Sequence, residues 1–285
     1  MNILVTGRNG QLGYDVIREG QRRGYNIIGT GRSELDFTDH SAVQAYINQT
    51  KPDAIIHCAA YTAVDKAESD KETCWKVNVE GTMHLAAAAK EIGSKFIYIS
   101  TDYVFDGEGE APFMELDKPN PVGYYGQTKY EGELAVQELN QSSFIVRISW
   151  VFGMNGNNFV KTMLRLAENR NELKVVSDQF GSPTYTVDLS NLLMDMIQTD
   201  KYGVYHASNE GFCSWADFSR EIFRQAGKEV SVEGIPTSQY PTPAVRPSNS
   251  RMSKQKLEDS GFNRLPIWQD ALSRFLNELT HEVNK

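Results

Sequence analysis

The chain of 285 residues is 40% hydrophobic and 23% charged, with a formal net charge of -8 and a pI near 5.3. Its length and apolar content suffice for a large buried core, in one large domain or in two interleaved ones. The acidic balance argues against nucleic acid as a partner, because proteins that bind nucleic acid usually carry a basic stripe.

The first half of the chain alternates short β-branched runs with helical patterns, which predicts βαβ units and an α/β fold with a parallel sheet. Uninterrupted apolar runs such as Ala54-Ile55-Ile56 are typical of a sheet that is covered on both faces. Right-handed crossovers would wind these elements into a doubly wound sheet of the Rossmann type. The predicted strands are Ile3 to Thr6, Asn26 to Gly29, Ala54 to His57, Phe96 to Ser100 and Phe144 to Ile148. The predicted helices are Gln11 to Arg23, Ser41 to Thr50 with Asp39 as N-cap, Glu72 to Ile92 and Tyr125 to Asn140.

After Trp150 the pattern changes to longer loops rich in Gly, Asn and Pro. The apolar pattern of Gly203 to His206 predicts a strand that can rejoin the main sheet. We therefore expect a dinucleotide-binding domain over 1–150 and about 181–206, and a smaller interleaved substrate-binding domain over about 151–180 and 207–285. The predicted helices of this half are Phe159 to Glu168, Val187 to Thr199, Ser214 to Gln225 and Trp268 to Asn284.

A glycine triplet, Gly7, Gly10 and Gly13, lies between the first predicted strand and the first predicted helix. Glycines permit positive φ and close backbone approach, and a helix N-terminus offers free N-H groups to a pyrophosphate. A tight strand-helix turn without a ligand is the alternative. The position at the start of a βαβ unit favours a dinucleotide site. The remaining residues assigned to that turn are Asn9, Gln11 and Leu12.

The end of the second predicted strand selects the cofactor, because an acidic residue there binds the ribose 2′-OH whereas an arginine accepts a 2′-phosphate. With Arg32 present and Glu34 as the first acidic residue, NADPH is favoured. Asp36, beside Phe37, can still reach the adenosine, so NADH use stays open. Arg32 as a solvated surface charge is the alternative to a phosphate ligand.

Two further segments are candidates for cofactor contacts. Ala59, Ala60 and Tyr61 follow the third predicted strand, and small side chains there let a cofactor lie flat against the backbone. Plain helix-sheet packing explains the alanines almost equally well. Asn78, inside a helical stretch, is either a satisfied buried polar residue or part of a proton relay near Lys129.

Tyr125 and Lys129 are four residues apart, so on a helix both side chains point into one cleft. A fixed cation about 4 to 6 Å from a phenol lowers the phenol pKa from its usual value of about 10. The pair therefore indicates a proton donor and its pKa tuner, with the Thr101 hydroxyl to position a substrate. The same spacing also occurs by chance in many helices, but its place after a dinucleotide-binding pattern favours catalysis.

Thr-Gly-x-x-Gly-x-x-Gly, Ser-Thr-Asp-Tyr-Val-Phe and Tyr-x-x-x-Lys occur in this order, and the chain resembles the extended short-chain dehydrogenase/reductases. Over nearly its whole length it is similar to the dTDP-4-dehydrorhamnose reductase family. That resemblance implies NAD(P)H-dependent reduction of the 4-keto group of dTDP-4-dehydro-L-rhamnose to dTDP-L-rhamnose, a sugar donor for polysaccharide biosynthesis. The segments that carry it are Thr62 to Glu68, Ser149 to Phe152, Asn157 to Phe159, Asp178 to Thr184 and Arg246 to Arg251.

The resemblance also implies roles for individual residues. Tyr125 would donate a proton to the developing alkoxide, Lys129 would stabilise the phenolate and hold the nicotinamide ribose, and Thr101 would hydrogen-bond the carbonyl oxygen. The residues implied on the dTDP-sugar are Thr62, Val64, Asp65, Thr101, Asp102, Tyr103 and Trp150, with Asn158, Arg246 and Arg251 at the nucleotide-diphosphate end. A domain-closing ion pair is the alternative for both arginines, and filling of the domain interface is the alternative for Trp150.

Two other functions stay open at this point. The regulatory subunit of methionine adenosyltransferase shares the fold and similar motifs, but it would not require the intact set of Thr101, Tyr125 and Lys129. A nucleotide-sugar epimerase or dehydratase would recycle its nicotinamide, and a dehydratase would usually have a second acid next to Asp102.

Neither a disulfide framework nor a zinc site is indicated, because the three cysteines are odd in number and lack Cys-x-x-Cys spacing. The chain enters a strand pattern at Met1 without a basic leader, and no apolar run approaches the roughly 18 residues of a membrane span. We expect a cytoplasmic protein without a membrane partner. Some relatives place Mg²⁺ between subunits with carboxylates, but the first helix offers only Asp15 and Glu19, so a metal is doubtful. A homodimer stays open.

Overall fold

A six-stranded parallel sheet forms the centre of the molecule, in a computed structural model that describes residues 1–283. The strands are β1 Asn2–Thr6, β2 Asn26–Thr30, β3 Ala54–His57, β4 Lys95–Thr101, β5 Ser143–Ile148, β6 Val151–Phe152, β7 Glu172–Val176, β8 Phe180–Gly181, β9 Thr184–Tyr185, β10 Gly203–His206, β11 Asn209–Glu210, β12 Cys213–Ser214, β13 Ser231–Ile235 and β14 Leu265–Ile267. The order of the central sheet is β10-β5-β4-β3-β1-β2, with every pair parallel. The chain therefore reverses its winding between β1 and β3, where open α/β sheets bind ligands.

Helices cover both faces of this sheet. The helices of the described residues, on and off this sheet, are α1 Gln11–Arg22, α2 His40–Thr50, α3 Val64–Ala67, α4 Lys71–Trp75, α5 Gly81–Glu91, α6 Tyr124–Leu139, α7 Phe159–Leu166, α8 Thr186–Met196, α9 Trp215–Gln225, α10 Gln255–Asp259 and α11 Trp268–Val283. A π-helical turn over Lys76–Glu80 joins α4 to α5, and 3-10 helices cover Asp102–Val104 and Thr237–Gln239. One face of the sheet packs on α1 and α8, and the other packs on α2, α5 and α6. The doubly wound sheet predicted from the sequence is confirmed.

A separate apolar cluster belongs to the second half of the chain. Its centre contains Phe152, Phe218 and Phe275, which come from β6, α9 and α11. The strand Gly203–His206 pairs with β5 and rejoins the main sheet, as predicted. The division of the chain into two interleaved domains stays a prediction. Among the described residues, no helix is both long and apolar enough to cross a membrane.

Two expectations about elements need correction. The helix predicted from Glu72 to Ile92 is wrong as one α-helix, because a π-helical turn interrupts it and directs Asn78 into the interior. The parallel pair of β7 with β13 was not predicted, since its two strands lie far apart in the sequence. The final helix is observed as Trp268–Val283, and Asn284 lies outside the described residues.

Candidate active site

The turn between β1 and α1 fits a phosphate group because side chains are excluded from it. Gly7 has φ +73, and a Cβ on it would lie 2.8 Å from the Ala59 nitrogen. A Cβ on Gly13 would lie 2.2 Å from the Gly7 carbonyl oxygen. The N-cap of α1 is Gly10, so no side chain caps this helix, and its first turn holds no acidic residue. The turn therefore presents a positive helix end without an internal anion.

The other predicted residues of this turn have different surroundings. Asn9 is exposed, and its carbonyl oxygen accepts a hydrogen bond of 2.7 Å from the Asn155 amide. The side chain of Gln11 contacts Asn158, whose amide donates to Gln11 Oε1 at 3.0 Å. The side chain of Leu12 is buried in the apolar cluster under the sheet, so only its backbone is available to a ligand of the turn.

The ends of β1 and β3 are held together beside this turn. Thr6 Oγ1 lies 2.7 Å from His57 Nδ1 and accepts a hydrogen bond of 3.2 Å from the Ala59 nitrogen. Burial, with Lys129 as a second cause, lowers the pKa of His57 to about 3, so the ring is neutral. Ala59 and Ala60 are half-buried and directly follow this joint.

At the end of β2, charged residues surround the place expected for the adenosine ribose. Arg32 is exposed, which fits both a ligand of a 2′-phosphate and a solvated surface charge, so its role stays a prediction. Asp36 accepts hydrogen bonds from Thr38, which lower the pKa of the carboxyl group. Phe37 packs edge-on against His57 with ring centroids 5.1 Å apart.

Sequence reasoning missed Arg8 at this end of the site. Its guanidinium pairs with Glu34 at 3.0 Å, and the same carboxylate accepts a hydrogen bond of 2.8 Å from the Gly31 nitrogen. Arg8 therefore joins the glycine turn to the end of β2. A basic residue inside Gly7-x-x-Gly10 was the available signal.

Asn78 fixes the segment that follows β3. Its Oδ1 accepts from the Tyr61 nitrogen at 2.8 Å, and its Nδ2 donates to the Tyr61 carbonyl at 3.2 Å and to Thr128 Oγ1 at 3.1 Å. The Tyr61 hydroxyl donates to Asp70 at 3.0 Å. Asn78 is fully buried and satisfied, and it connects the predicted cofactor segment to helix α6.

Thr101, Tyr125 and Lys129 come from the carboxyl end of β4 and the first two turns of α6. A Cβ on Gly126 would lie 2.1 Å from the Tyr103 carbonyl oxygen, so the helix packs closely on the segment after β4. Burial raises the pKa of the Tyr125 phenol, and a hydrogen bond with Thr101 opposes part of that rise. All three side chains are buried.

The expectation that Lys129 lowers the pKa of Tyr125 is wrong in this structure. Burial is the largest cause and raises the phenol pKa well above its usual value. Burial also lowers the pKa of Lys129 to about 7, and the ammonium lies 4.0 Å from the ring centroid of Tyr98. At neutral pH Tyr125 is therefore a protonated phenol, which is the form that a proton donor requires.

Helix α6 begins at a cap that the sequence did not reveal. The Glu68 carboxylate accepts a hydrogen bond of 2.8 Å from the Tyr124 nitrogen. Glu68 follows the short helix α3, so this contact joins α3 to the start of the helix that carries Tyr125. No local spacing could have found it, because the two residues are 56 positions apart.

Several predicted sugar contacts gather around Tyr125. The ring of Tyr103 packs edge-on against it at 5.6 Å, and Val64 is part of the same apolar cluster. Asp102 is buried, and its Oδ1 accepts from Thr101 at 3.0 Å. Burial raises the pKa of Asp102 to about 6. Thr62 is exposed at the edge of this group.

Arg246 closes the cleft over these residues from the second half of the chain. Its Nη2 lies 2.6 Å from Asp65 Oδ2, and its Nη1 donates to the Tyr103 hydroxyl at 3.0 Å. The Ala244 nitrogen also donates to Asp65 at 3.2 Å. The structure thus brings together three residues that were assigned separately to the sugar and to the nucleotide diphosphate.

Trp150 adopts φ +48, which is unusual for a bulky residue. Its indole stacks on Trp215 with centroids 3.6 Å apart, and a Cβ on Gly181 would lie 2.8 Å from the same ring. The Thr184 nitrogen donates to the Trp150 carbonyl at 3.1 Å. This contact network fixes the half-buried indole directly after β5.

Asn158 and Arg251 lie apart from Arg246. Asn158 caps α7 through the Lys161 nitrogen and donates to Gln11, so it adjoins the glycine turn. The Arg251 guanidinium stacks on Phe180 at 4.4 Å and donates to the Glu110 carbonyl at 3.3 Å. The structure therefore does not group the three predicted diphosphate ligands in one place.

The carboxylates considered for a metal ion already have partners. Asp15 accepts from Thr186 and pairs with Arg18, and Glu19 pairs with Arg22 and Arg23. Among the residues that the structure describes, no group of three or more His, Cys, Asp or Glu side chains could hold a metal ion.

Comparison with known proteins identifies the family. The family model described as the RmlD substrate binding domain matches residues 1–281. A dTDP-4-dehydrorhamnose reductase from Sinorhizobium fredii is 41% identical, with 97% of each chain covered. A dTDP-4-dehydrorhamnose reductase from Clostridium acetobutylicum has a TM-score of 0.96 at 43% identity, covering 98% of this chain and 100% of that one. Another from Bacillus anthracis, solved in complex with NADP, has a TM-score of 0.95 at 42% identity, covering 97% and 99%. The chain belongs to the RmlD substrate-binding-domain family, among the dTDP-4-dehydrorhamnose reductases.

Proposed function

We propose that this protein uses NADPH to reduce the 4-keto group of dTDP-4-dehydro-L-rhamnose, giving dTDP-L-rhamnose. The observation that carries the proposal is the convergence of Thr101, Tyr125 and Lys129 at the carboxyl edge of the parallel sheet, the edge that also carries the glycine turn without room for side chains. Membership in the reductase family supports the choice of substrate.

The glycine turn and the end of β2 would hold the cofactor. The backbone at Gly7 to Gly13 would bind the pyrophosphate, and Arg8 with Arg32 would take a 2′-phosphate. Asp36 would contact the adenosine, and Ala59 to Tyr61, held by Asn78, would support the nicotinamide half. The NADP complex of the Bacillus anthracis relative supports this choice, and NADH is the second candidate.

When bound, NADPH would supply the hydride that the carbonyl carbon of the sugar accepts. The Tyr125 phenol transfers its proton to the carbonyl oxygen as negative charge develops there. The Thr101 hydroxyl, which donates to Asp102 Oδ1 in the structure, would turn its single proton to the same oxygen and limit its position. The Lys129 ammonium then stabilises the phenolate that remains on Tyr125 in the buried site.

The substrate would enter between α3 and the loop that carries Arg246. Arg246 would exchange its ion pair with Asp65 for the diphosphate, because a guanidinium binds phosphate oxygens in a bidentate way. Tyr103 and Trp150 would flank the sugar, with Thr62, Val64, Asp65 and Asp102 around it. Arg251 and Asn158 would act at greater distance, through Phe180 and through the glycine turn. A homodimer and a cytoplasmic location stay predictions from the sequence.

The direct test is oxidation of NADPH, followed at its near-ultraviolet absorbance, with enzymatically generated dTDP-4-dehydro-L-rhamnose. We expect turnover that depends on this sugar, with dTDP-glucose, which has no keto group, as the inactive control. NADH measured in parallel ranks the cofactors. Tight NADPH binding without turnover would favour the alternative hypothesis of a regulatory subunit of methionine adenosyltransferase. Conversion of the sugar without net NADPH oxidation would favour an epimerase.

A further inference from the structure

A buried polar cluster lies one helical turn beyond Lys129. It consists of Glu133 on α6, Ser100 on β4 and Arg147 on β5, where Ser100 and Arg147 are register partners in the sheet. The side chains of Glu133 and Arg147 are only 1% and 3% exposed. None of these residues belongs to the proton-transfer group, but Ser100 directly precedes Thr101.

A single carboxylate connects three elements in this cluster. Arg147 Nε donates to Glu133 Oε1 at 2.9 Å, and Arg147 Nη2 donates to Oε2 at 2.6 Å. The Ser100 hydroxyl donates to Oε1 at 2.5 Å. Such bidentate, charge-assisted contacts restrict both distance and orientation. Helix α6 is therefore fixed to β4 and β5 at the level where both strands approach the site.

Burying an ion pair costs desolvation free energy, so apolar side chains of similar volume would usually join a helix to a sheet at least as stably. Unlike apolar contacts, the bidentate pair also restricts the distance and orientation of α6 relative to the two strands. We propose that Glu133 is a positioning residue, which holds Thr101 on β4 at the correct distance from Tyr125 and Lys129 on α6. This inference rests on the proposed reductase function.

The charge of Glu133 also acts on Lys129. Burial lowers the pKa of Lys129, and the Glu133 carboxylate is the largest cause in the opposite direction. Glu133 thus keeps a larger share of Lys129 in the ammonium form near neutral pH. The other titratable groups that face Lys129 from the neighbouring elements are Cys58 and His57 near β3, Cys74 on α4 and Tyr98 on β4.

Ser100→Ala is the mildest test, because it removes one hydroxyl contact and leaves the ion pair intact. We expect a variant of somewhat lower unfolding midpoint that is fully folded in the assay, with kcat about tenfold or more lower and KM for NADPH within about twofold. Ser143→Ala is the matched control, a buried serine at the opposite end of β5, and it should leave kcat unchanged.

The double variant Glu133→Gln with Arg147→Met tests the charge of Glu133, and it removes the partner as well so that no unpaired guanidinium stays buried. We expect this variant to fold, and we expect kcat/KM for the sugar to fall off at a pH about one unit lower than in the wild-type protein. A lower kcat that only follows a loss of folded protein, with the pH profile unchanged, would overturn the inference. So would full activity of Ser100→Ala.

Failure of the proposed function can be separated from failure of this inference. If the wild-type protein does not turn over the sugar, the pH dependence of NADPH binding, followed by fluorescence, replaces kcat in the same set of variants. If NADPH affinity begins to fall at a lower pH in the double variant than in the wild-type protein, the role of Glu133 towards Lys129 is supported. If the affinity of both proteins falls at the same pH, that role is contradicted.

Discussion

Burial sets the protonation state of both members of the Tyr125 and Lys129 pair. It raises the pKa of the phenol and lowers the pKa of the amine to about 7. As the pH rises from neutral, the ammonium is therefore lost before the phenol ionises. We infer that Lys129, and not Tyr125, sets the alkaline limit of activity in the free enzyme.

Tyr125→Phe should lower kcat by about 10² to 10⁴, because general acid assistance is lost. NADPH affinity and the unfolding midpoint should change little, since the ring stays in its apolar cluster. Tyr124→Phe is the matched control, because this neighbouring tyrosine lacks the four-residue spacing to Lys129. Steady-state kinetics of both variants check the prediction, and near-normal turnover of Tyr125→Phe would contradict it.

Lys129 should make stability depend on pH. Its pKa in the folded state, about 7, is below the unfolded value near 10.5, so the folded protein binds fewer protons between these values. Stability that is present at high pH is therefore lost as the pH falls towards 7. Lys129→Met should remove this loss and stabilise the protein at pH 7 by on the order of 1 kcal/mol or more. Urea unfolding at pH 7 and pH 10 measures it, and an equal pH dependence in both proteins would refute the explanation.

Single residues were predictable where the chemistry depends on local spacing. Tyr125 and Lys129 follow from helix periodicity, and Gly7 and Gly13 follow from their place before a helix. The direction of the Tyr125 pKa shift was not predictable, because it depends on burial by other elements. Glu68 and Arg8 were missed because their partners, Tyr124 and Glu34, become neighbours only in the folded chain.

At the scale of elements, the turn before α1 requires glycine at position 7, because there is no room for a Cβ atom there. Gly7→Ala should weaken NADPH binding at least tenfold, because its Cβ would collide with the Ala59 backbone at a positive φ. Gly24→Ala is the control, since Gly24 has φ +79 but no atom within 4 Å of its ideal Cβ. It should cost about 1 kcal/mol of stability and leave NADPH affinity unchanged. Calorimetric titration with NADPH compares the two, and equal affinity losses would contradict the crowding argument.

Elements of the central sheet were predictable to within a residue or two because their hydrophobic patterns are continuous. Ala54–His57 was predicted with its observed bounds, and Gln11–Arg22 differs from the prediction by one residue. The break around Asn78 could not be predicted, since the π-helical turn depends on contacts of Asn78 with Tyr61 and Thr128.

At the scale of the whole molecule, the Arg246 and Asp65 pair links the second half of the chain to the first. Asp65 is 41% exposed, so the pair itself should stabilise the protein by no more than about 1 kcal/mol. If Arg246 binds the diphosphate, Arg246→Ala should raise KM for the sugar nucleotide about tenfold or more and leave NADPH affinity unchanged. Arg246→Lys keeps the charge without the bidentate geometry, so an intermediate KM is expected. An unchanged KM in Arg246→Ala would contradict diphosphate binding by Arg246 and would leave its ion pair with Asp65 as its role.

The second half of the chain was the least predictable part of the fold. Its small sheets pair strands that are distant in sequence, such as β7 with β13 and β11 with β14. Strands of two to five residues leave little hydrophobic pattern, and their pairing depends on packing around Phe152 and Phe218. The contacts of Arg246 with Asp65 and of Trp215 with Trp150 were not predictable for the same reason, because both residues come from these segments.

Transfer of the label from NADPH that carries deuterium at the reactive position of nicotinamide C4 tests the central claim most directly. The product formed from dTDP-4-dehydro-L-rhamnose is analysed by mass spectrometry and proton NMR. We predict dTDP-L-rhamnose with one deuterium at sugar C4, formed in step with NADPH oxidation and about 10² to 10⁴ times more slowly with Tyr125→Phe. A product without deuterium, or with deuterium at another carbon, would contradict direct reduction of the 4-keto group.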